Sequence, residues 1–253
     1  MKNFFLLVAL LSTTISLNAQ TYFQQDFNSS NKLESYLGGK TKANNFDAVS
    51  TVGNSSVEIF NNKLRIIKRE SSEQSRIGIT RKTLFKDMPA SGAAVLKYSM
   101  EVTVSGNTAD VKDGFAFFFA NDVSTNAHAP GPNAGRHSYL AIDPRSKEGD
   151  FRVRVNGKSS QILSGTYTLI CYINNSGSSV NYKAPDNSTV TLGDDELDVW
   201  AIDKNGLAES LLTKVPARDP EGVVRNFKIA ANPNFAATLD IDNILIAEEP
   251  VVK

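Results

Sequence analysis

From Phe23 onward, apolar and polar residues alternate in short runs separated by Ser, Asn, Gly or Asp. A period of two puts successive side chains on opposite faces of a strand. In FRVRV, Phe151, Val153 and Val155 point one way, and Arg152 and Arg154 the other. SVEIF, KLRII, VLKYSMEVTV, TYTLICYI, STVTL, LDVWAI, RNFKIA and LDIDNILI read as further strands. DGFAFFFAND, residues 113–122, departs from the pattern, because its central run has no polar face and must be covered on both sides. Phe115, Phe117 and Phe119 are expected to face one layer, and Phe118, between two alanines, the other. Asn61-Asn62 and Asn156-Gly157 tolerate positive φ and predict tight hairpins. In LDIDNILI the apolar parity shifts between Ile241 and Ile244, which predicts a bulge at Asp242-Asn243. One short helix is predicted at Lys32 to Leu37, capped by Ser30 or Asn31 and stopped by Gly38. More than ten strands without long helical periodicity predict an antiparallel sandwich.

The first twenty residues change the picture of where the chain goes. Lys2, the apolar run Phe4 to Leu11 and the exit Asn18-Ala19-Gln20 have the pattern of a secretory signal peptide. That apolar run is too short to span a membrane, and no second run of spanning length follows. The expected division is a signal peptide over 1–20 and one β-sandwich domain over 21–253, secreted or at the cell surface. A chain of this size buries about 70% of its unfolded surface without disulfide staples. Cys171, the only cysteine, falls in an alternating apolar strand and reads as a buried, inert thiol. Lys and Arg number 27, as do Asp and Glu, so no global field draws nucleic acid or anionic membrane.

Three stretches, QDFNSSNKLESYL, YINNSGSSVNYKAPDNSTVTLGDDELDVW and FKIAANPNFAATLDIDNILIA, together resemble a largely uncharacterised family of secreted β-sandwich proteins common in Bacteroidetes. DGFAFFFA is also similar to the strand of legume-type, concanavalin-like lectins that carries a sugar-binding acid held by a nearby calcium. The resemblances imply a concanavalin-like jelly-roll sandwich of two antiparallel sheets. The lectin resemblance implies Asp113 as the sugar acceptor at the mouth of the strand, before Gly114. It makes Gly135 the glycine whose amide completes the clamp and Asp143 the match to a metal-binding acid. Ala141 stands where those lectins carry a metal-binding Glu.

The remaining candidates are weighed by their chemistry. Aromatic rings are the usual platforms for sugars, and Tyr139, Tyr172, Tyr182 and Trp200 qualify by type. Tyr139, expected in the loop after Gly135, is the preferred platform, and Trp200 reads as core. Arg152 and Arg154 form either a solvated sheet face or a contact for a carboxylate- or sulfate-bearing glycan. Glu196 and Asp198 resemble the start of the acid-x-acid-x-acid strand of laminarinase-type glycoside hydrolases, but the last acid is absent. His128 and His137 share a Pro/Gly/Asn-rich loop and read as solvated. Asp26 and Asp242 match the first-strand and last-strand acids with which jelly-roll modules often hold a structural calcium ion. The preferred function is non-catalytic, lectin-like binding of an extracellular glycan. A polysaccharide hydrolase or lyase and a structural or adhesive surface protein remain open alternatives.

Overall fold

The computed structural model describes residues 19–90, 93–126 and 136–252. Most of the expected signal segment, together with His128 and Gly135, lies outside the described residues. Among the described residues no helix is long and apolar enough to cross a membrane.

The expected sandwich of two antiparallel sheets is what the chain forms. One sheet has seven strands: β10 (Lys158–Ser164), β9 (Asp150–Val155), β8 (Ser138–Pro144), β7 (Phe115–Ala120), β16 (Asn226–Ala231), β5 (Arg76–Arg81) and β2 (Ala48–Val52). The other has eight. It runs β15 (Ala208–Pro216), β14 (Glu196–Asp203), β11 (Thr166–Asn174), β6 (Val95–Ser105), β17 (Ala237–Glu248), β4 (Lys63–Lys68) and β3 (Ser55–Phe60). Its eighth strand, β1 (Thr21–Gln25), pairs with β17. The consecutive strands β16 and β17 lie in different sheets, flanked on one side by β5 and β4 and on the other by β7 and β6. That winding of paired strands around the sandwich makes it a jelly roll.

The parity of β7 decides where the core lies. Phe115, Phe117 and Phe119 enter the core between the sheets, whereas Phe118 joins Ala116 and Ala230 on the outer face. The ring of Tyr98 on β6 meets Phe119 edge-on at 4.9 Å, so the facing layers interlock through aromatic contacts. On β9, Phe151, Val153 and Val155 turn inward as predicted. Both tight turns have the expected left-handed residues, Asn61 and Asn62 (φ 49° and 58°) and Asn156 (φ 46°) before Gly157. The bulge is also in place. Register on β6 shifts between Asp242 and Leu245, so that β17 pairs with β4 before the bulge and with β1 after it.

The predicted helix is instead a single 3₁₀ turn, Leu33–Tyr36. Ser30 Oγ accepts the Lys32 amide in a local turn rather than capping a longer helix. Cys171 faces the core and is buried, and that burial pushes its thiol up. A two-stranded ribbon, β12 (Val180–Lys183) with β13 (Thr189–Leu192), packs on the outside of the eight-stranded sheet. Trp200 and Tyr172 of the sheet are buried beneath it against Tyr182 of β12, which makes all three packing residues.

Candidate functional site

The mouth of β7 is held by a network that crosses four strands. Asp113, the residue before Gly114, has φ 58°, a conformation that Asp and Asn adopt more readily than most residues. Gly114 is pressed against β8, where a Cβ would lie 2.7 Å from Pro144 Cδ and 2.9 Å from the Ile142 oxygen. Its amide donates to Asp143 Oδ1 at 3.1 Å, and its carbonyl accepts the Asn232 amide at 3.0 Å. Asn232 Nδ2 also donates to the Asp113 carbonyl. Both polar groups of Gly114 are thus used within the protein, and its contribution is to fix where Asp113 points.

Arg154 joins the two aspartates. Its Nε donates to Asp143 Oδ2 at 2.8 Å, and its Nη2 is paired with the Asp113 carboxylate. Its Nη1 donates to the Tyr139 hydroxyl at 3.1 Å. Burial opposes the guanidinium's charge, but its hydrogen bonds to Asp143 and Asp113 outweigh it and raise the pKa. The expectation of a wet face on β9 therefore fails at Arg154, which is buried between two carboxylates. In the lectin resemblance a metal steadies the sugar-binding acid; here a guanidinium lies between the two acids. The Asp113 side chain remains 45% exposed, so it can still meet a ligand.

Tyr139 belongs to β8, not to a loop as expected, and it is half-buried on the outer face beside Phe118. Its ring lies 6.1 Å from that of Phe118, with Arg154 on one side and Arg218 on another, each 5.9 Å from the centroid. Asp113, Ala116, Phe118, Tyr139 and Asn232 line a depression of about 250 Å³ that Arg136 and Arg218 complete. The structure thus brings Asp113, Gly114 and Tyr139 together. The sequence does not single out Arg218 and Asn232, which reach the site from distant segments, or Arg136, which lies beside Gly135 and Tyr139 but gives no local signal of its burial. A larger hollow of about 540 Å³, lined by Gly39, Lys40, Asp47 and Thr83 among others, lies elsewhere on the sheet. Its Asp47 carboxylate is taken up by Thr83, whose amide and hydroxyl donate at 2.6 and 2.7 Å.

The other candidates have different surroundings. Asp198 is fully buried under the ribbon, accepting the Tyr182 hydroxyl at 2.8 Å and the Lys214 amide at 2.6 Å. Burial raises its pKa. Glu196 accepts the Gly193 amide at 2.8 Å. His137 is not solvated, as its position in the sequence suggested, but wholly buried. Its Nδ1 lies 3.0 Å from Ser138 Oγ, a hydroxyl that is itself buried and therefore not presented as a nucleophile.

Asp26 and Asp242 are near enough that the Asp26 charge contributes to raising the Asp242 carboxyl, after burial and together with Glu101. Each also accepts a local amide, from Asn28 at 3.2 Å and from Asn243 at 2.7 Å. Lys63 sits 2.5 Å from Glu101 and already supplies a cation there. Among the described residues no group of three or more His, Cys, Asp or Glu side chains could hold a metal. A calcium ion between these acids would need most of its six to eight oxygens from backbone carbonyls and water.

No family model matches the chain, and no curated protein matches it. Solved structures do. Peanut lectin is 14% identical, with 81% of this chain and 93% of the lectin covered at a TM-score of 0.48. Winged bean acidic lectin, solved with methyl-α-D-galactose, is 13% identical, covering 82% and 94% at 0.49. A carbohydrate esterase from Shiga toxin-encoding bacteriophage phi24B is 14% identical, covering 92% of this chain and all of that one at 0.50. At such identities the likeness bears on the fold alone.

Proposed function

We propose that this is a secreted or cell-surface protein that binds a glycan without cleaving it, through the outer face of the seven-stranded sheet at the mouth of β7. The carrying observation is a half-exposed carboxylate, Asp113, fixed by a buried arginine beside the ring of Tyr139 over a floor of Ala116 and Phe118. A fixed carboxylate accepts sugar hydroxyls, and an aromatic face packs on the C–H side of a pyranose. Rigid strands supply the positioning, so little further entropy is lost on binding. The resemblance of three sequence stretches to secreted β-sandwich proteins of the Bacteroidetes type is in keeping with this reading. The reading without cleavage is supported by Glu196 and Asp198, whose carboxylates serve a turn and a buried tyrosine rather than an open cleft.

A glycan array probed with the mature protein tests the assignment. Asp113→Asn keeps the left-handed turn and removes the charge, and Tyr139→Ala removes the platform. Each is expected to weaken binding about tenfold, through loss of a charge-assisted contact in the first and of an aromatic stacking face in the second. Wild-type affinity in Asp113→Asn would remove Asp113 from the site. Because Arg154 does the holding, binding at this face is expected to persist in chelator.

The calcium proposed between Asp26 and Asp242 is tested separately by thermal melts. Added calcium should raise the melting temperature through its preference for the folded state. Asp242→Asn should abolish that shift. Superimposable melts in calcium and in chelator would end the proposal.

A further inference from the structure

The depression beside Asp113 contains more positive charge than its surroundings account for. Arg136 is only 5% exposed, and its Nε has no hydrogen-bond partner. Its guanidinium lies 5.5 Å from the Phe118 ring centroid, facing the floor of the same depression. Arg218 lines the same depression, exposed, over Tyr139. The two cations repel each other: burial and then Arg218 hold the Arg136 guanidinium below its ordinary value. Among the described residues neither has an ion-pair partner, and the nearby Asp113 is committed to Arg154. A buried guanidinium without a counter-charge is costly, and a ligand anion between the two would relieve the cost.

The neighbouring surface extends the same chemistry. Tyr139 and Arg218 also line a second depression, with Asn156 and Pro216, and Gly157 links that one to a third lined by Arg145, Arg152 and Arg154. Together the three are lined by five arginines and two aspartates; Arg154 is taken up by both aspartates and Arg145 by Asp110, which leaves Arg136, Arg152 and Arg218 without an ion-pair partner among the described residues. The chain as a whole has no net charge, so this is a local concentration of positive field. Guanidinium groups bind carboxylate and sulfate oxygens in pairs, through a planar fork that suits both. A row of such groups beside a sugar platform fits a polymer with anionic substituents along its length.

Resting on the glycan-binding reading, we infer that the ligand is an acidic polysaccharide, with a carboxylate or sulfate group seated between Arg136 and Arg218. The experiment compares matched polymers by titration calorimetry with the mature protein: polygalacturonate against its fully methyl-esterified form, and dextran sulfate against dextran. The acidic member of at least one pair should bind about tenfold or more tightly than its neutral partner. Arg218→Gln should abolish that preference, and Lys204→Gln, an equal loss of charge away from the depression, should leave it intact. Neutral polymers that bind as tightly as acidic ones, in a manner lost in Tyr139→Ala, would overturn this inference and leave the glycan reading standing. Equal losses in Arg218→Gln and Lys204→Gln would overturn it as non-specific attraction. If none of the four polymers binds, the inference also fails, and the array separately decides the glycan reading.

Discussion

Phe117→Ala is expected to cost about 3–5 kcal/mol of folding stability, the range for emptying a large aromatic from a packed core. Phe117 is completely buried between the sheets, with the Tyr98 ring edge-on to it at 6.4 Å. β7 is held in its sheet by pairing on both sides, through β8 and β16, and cannot shift freely into the space left behind. Phe118, one residue on, gives a different expectation. It packs outward with Ala116, Ala230 and Tyr139, a small cluster with room to relax. Truncating it should cost only about 1.5–3 kcal/mol, the transfer term for one such side chain, but should weaken ligand binding by removing the floor beneath Tyr139. Urea unfolding of the two variants, paired with binding assays below their transitions, separates the roles. Equal stability losses with equal effects on binding would show that the strand does not divide its aromatics between two layers.

That division was legible in the sequence because it depends only on parity. A run without a polar face has to be buried twice, and the alanines alternating with Phe118 mark the face with the smaller side chains. The Asn-Asn and Asn-Gly turns were legible for an equally local reason, as was the bulge at Asp242-Asn243, where two apolar positions fall out of step. What could not be read is the partner of each polar group. Arg154 looked like one of two arginines on a wet face, and nothing near it in the chain indicates that Asp113 and Asp143 will close over it. Tyr139 reads as a loop residue because the glycine- and proline-rich segment before it obscures where β8 begins. Arg136 and Arg218 converge only when β8 and the segment after β15 are brought side by side, and their mutual repulsion is a property of the folded chain.

His137 is the case in which the sequence pointed the wrong way, and it sets the pH dependence of stability. Its ring is fully buried, and that burial, only partly offset by Asp219 and Asp194, pushes its pKa down from 6.5 to about 4. Nε2 lies 3.5 Å from Asp195 Oδ1, and neither atom has a hydrogen-bond partner; with the ring neutral, this contact is no ion pair. The backbone oxygen of His137 accepts the Arg218 amide at 2.8 Å, so the ring sits beneath the segment that carries an arginine of the proposed site. Between pH 6.5 and 4 the unfolded chain binds a proton at this residue and the folded chain does not. Stability therefore falls as pH drops through that window, by about 3 kcal/mol in all, and the loss is complete below pH 4. The raised carboxyl of Asp195 works in the opposite direction, which is why the comparison must be with a variant that retains it. His137→Gln should lose most of the decline between pH 6.5 and 4 while keeping every other titration. The imidazole signal of His137 in NMR provides a second readout that does not depend on the variant folding, and it should remain that of the neutral ring down to about pH 4. An imidazole that titrates near 6.5, or wild-type and His137→Gln proteins with the same pH slope, would show that the ring is not held neutral by the fold.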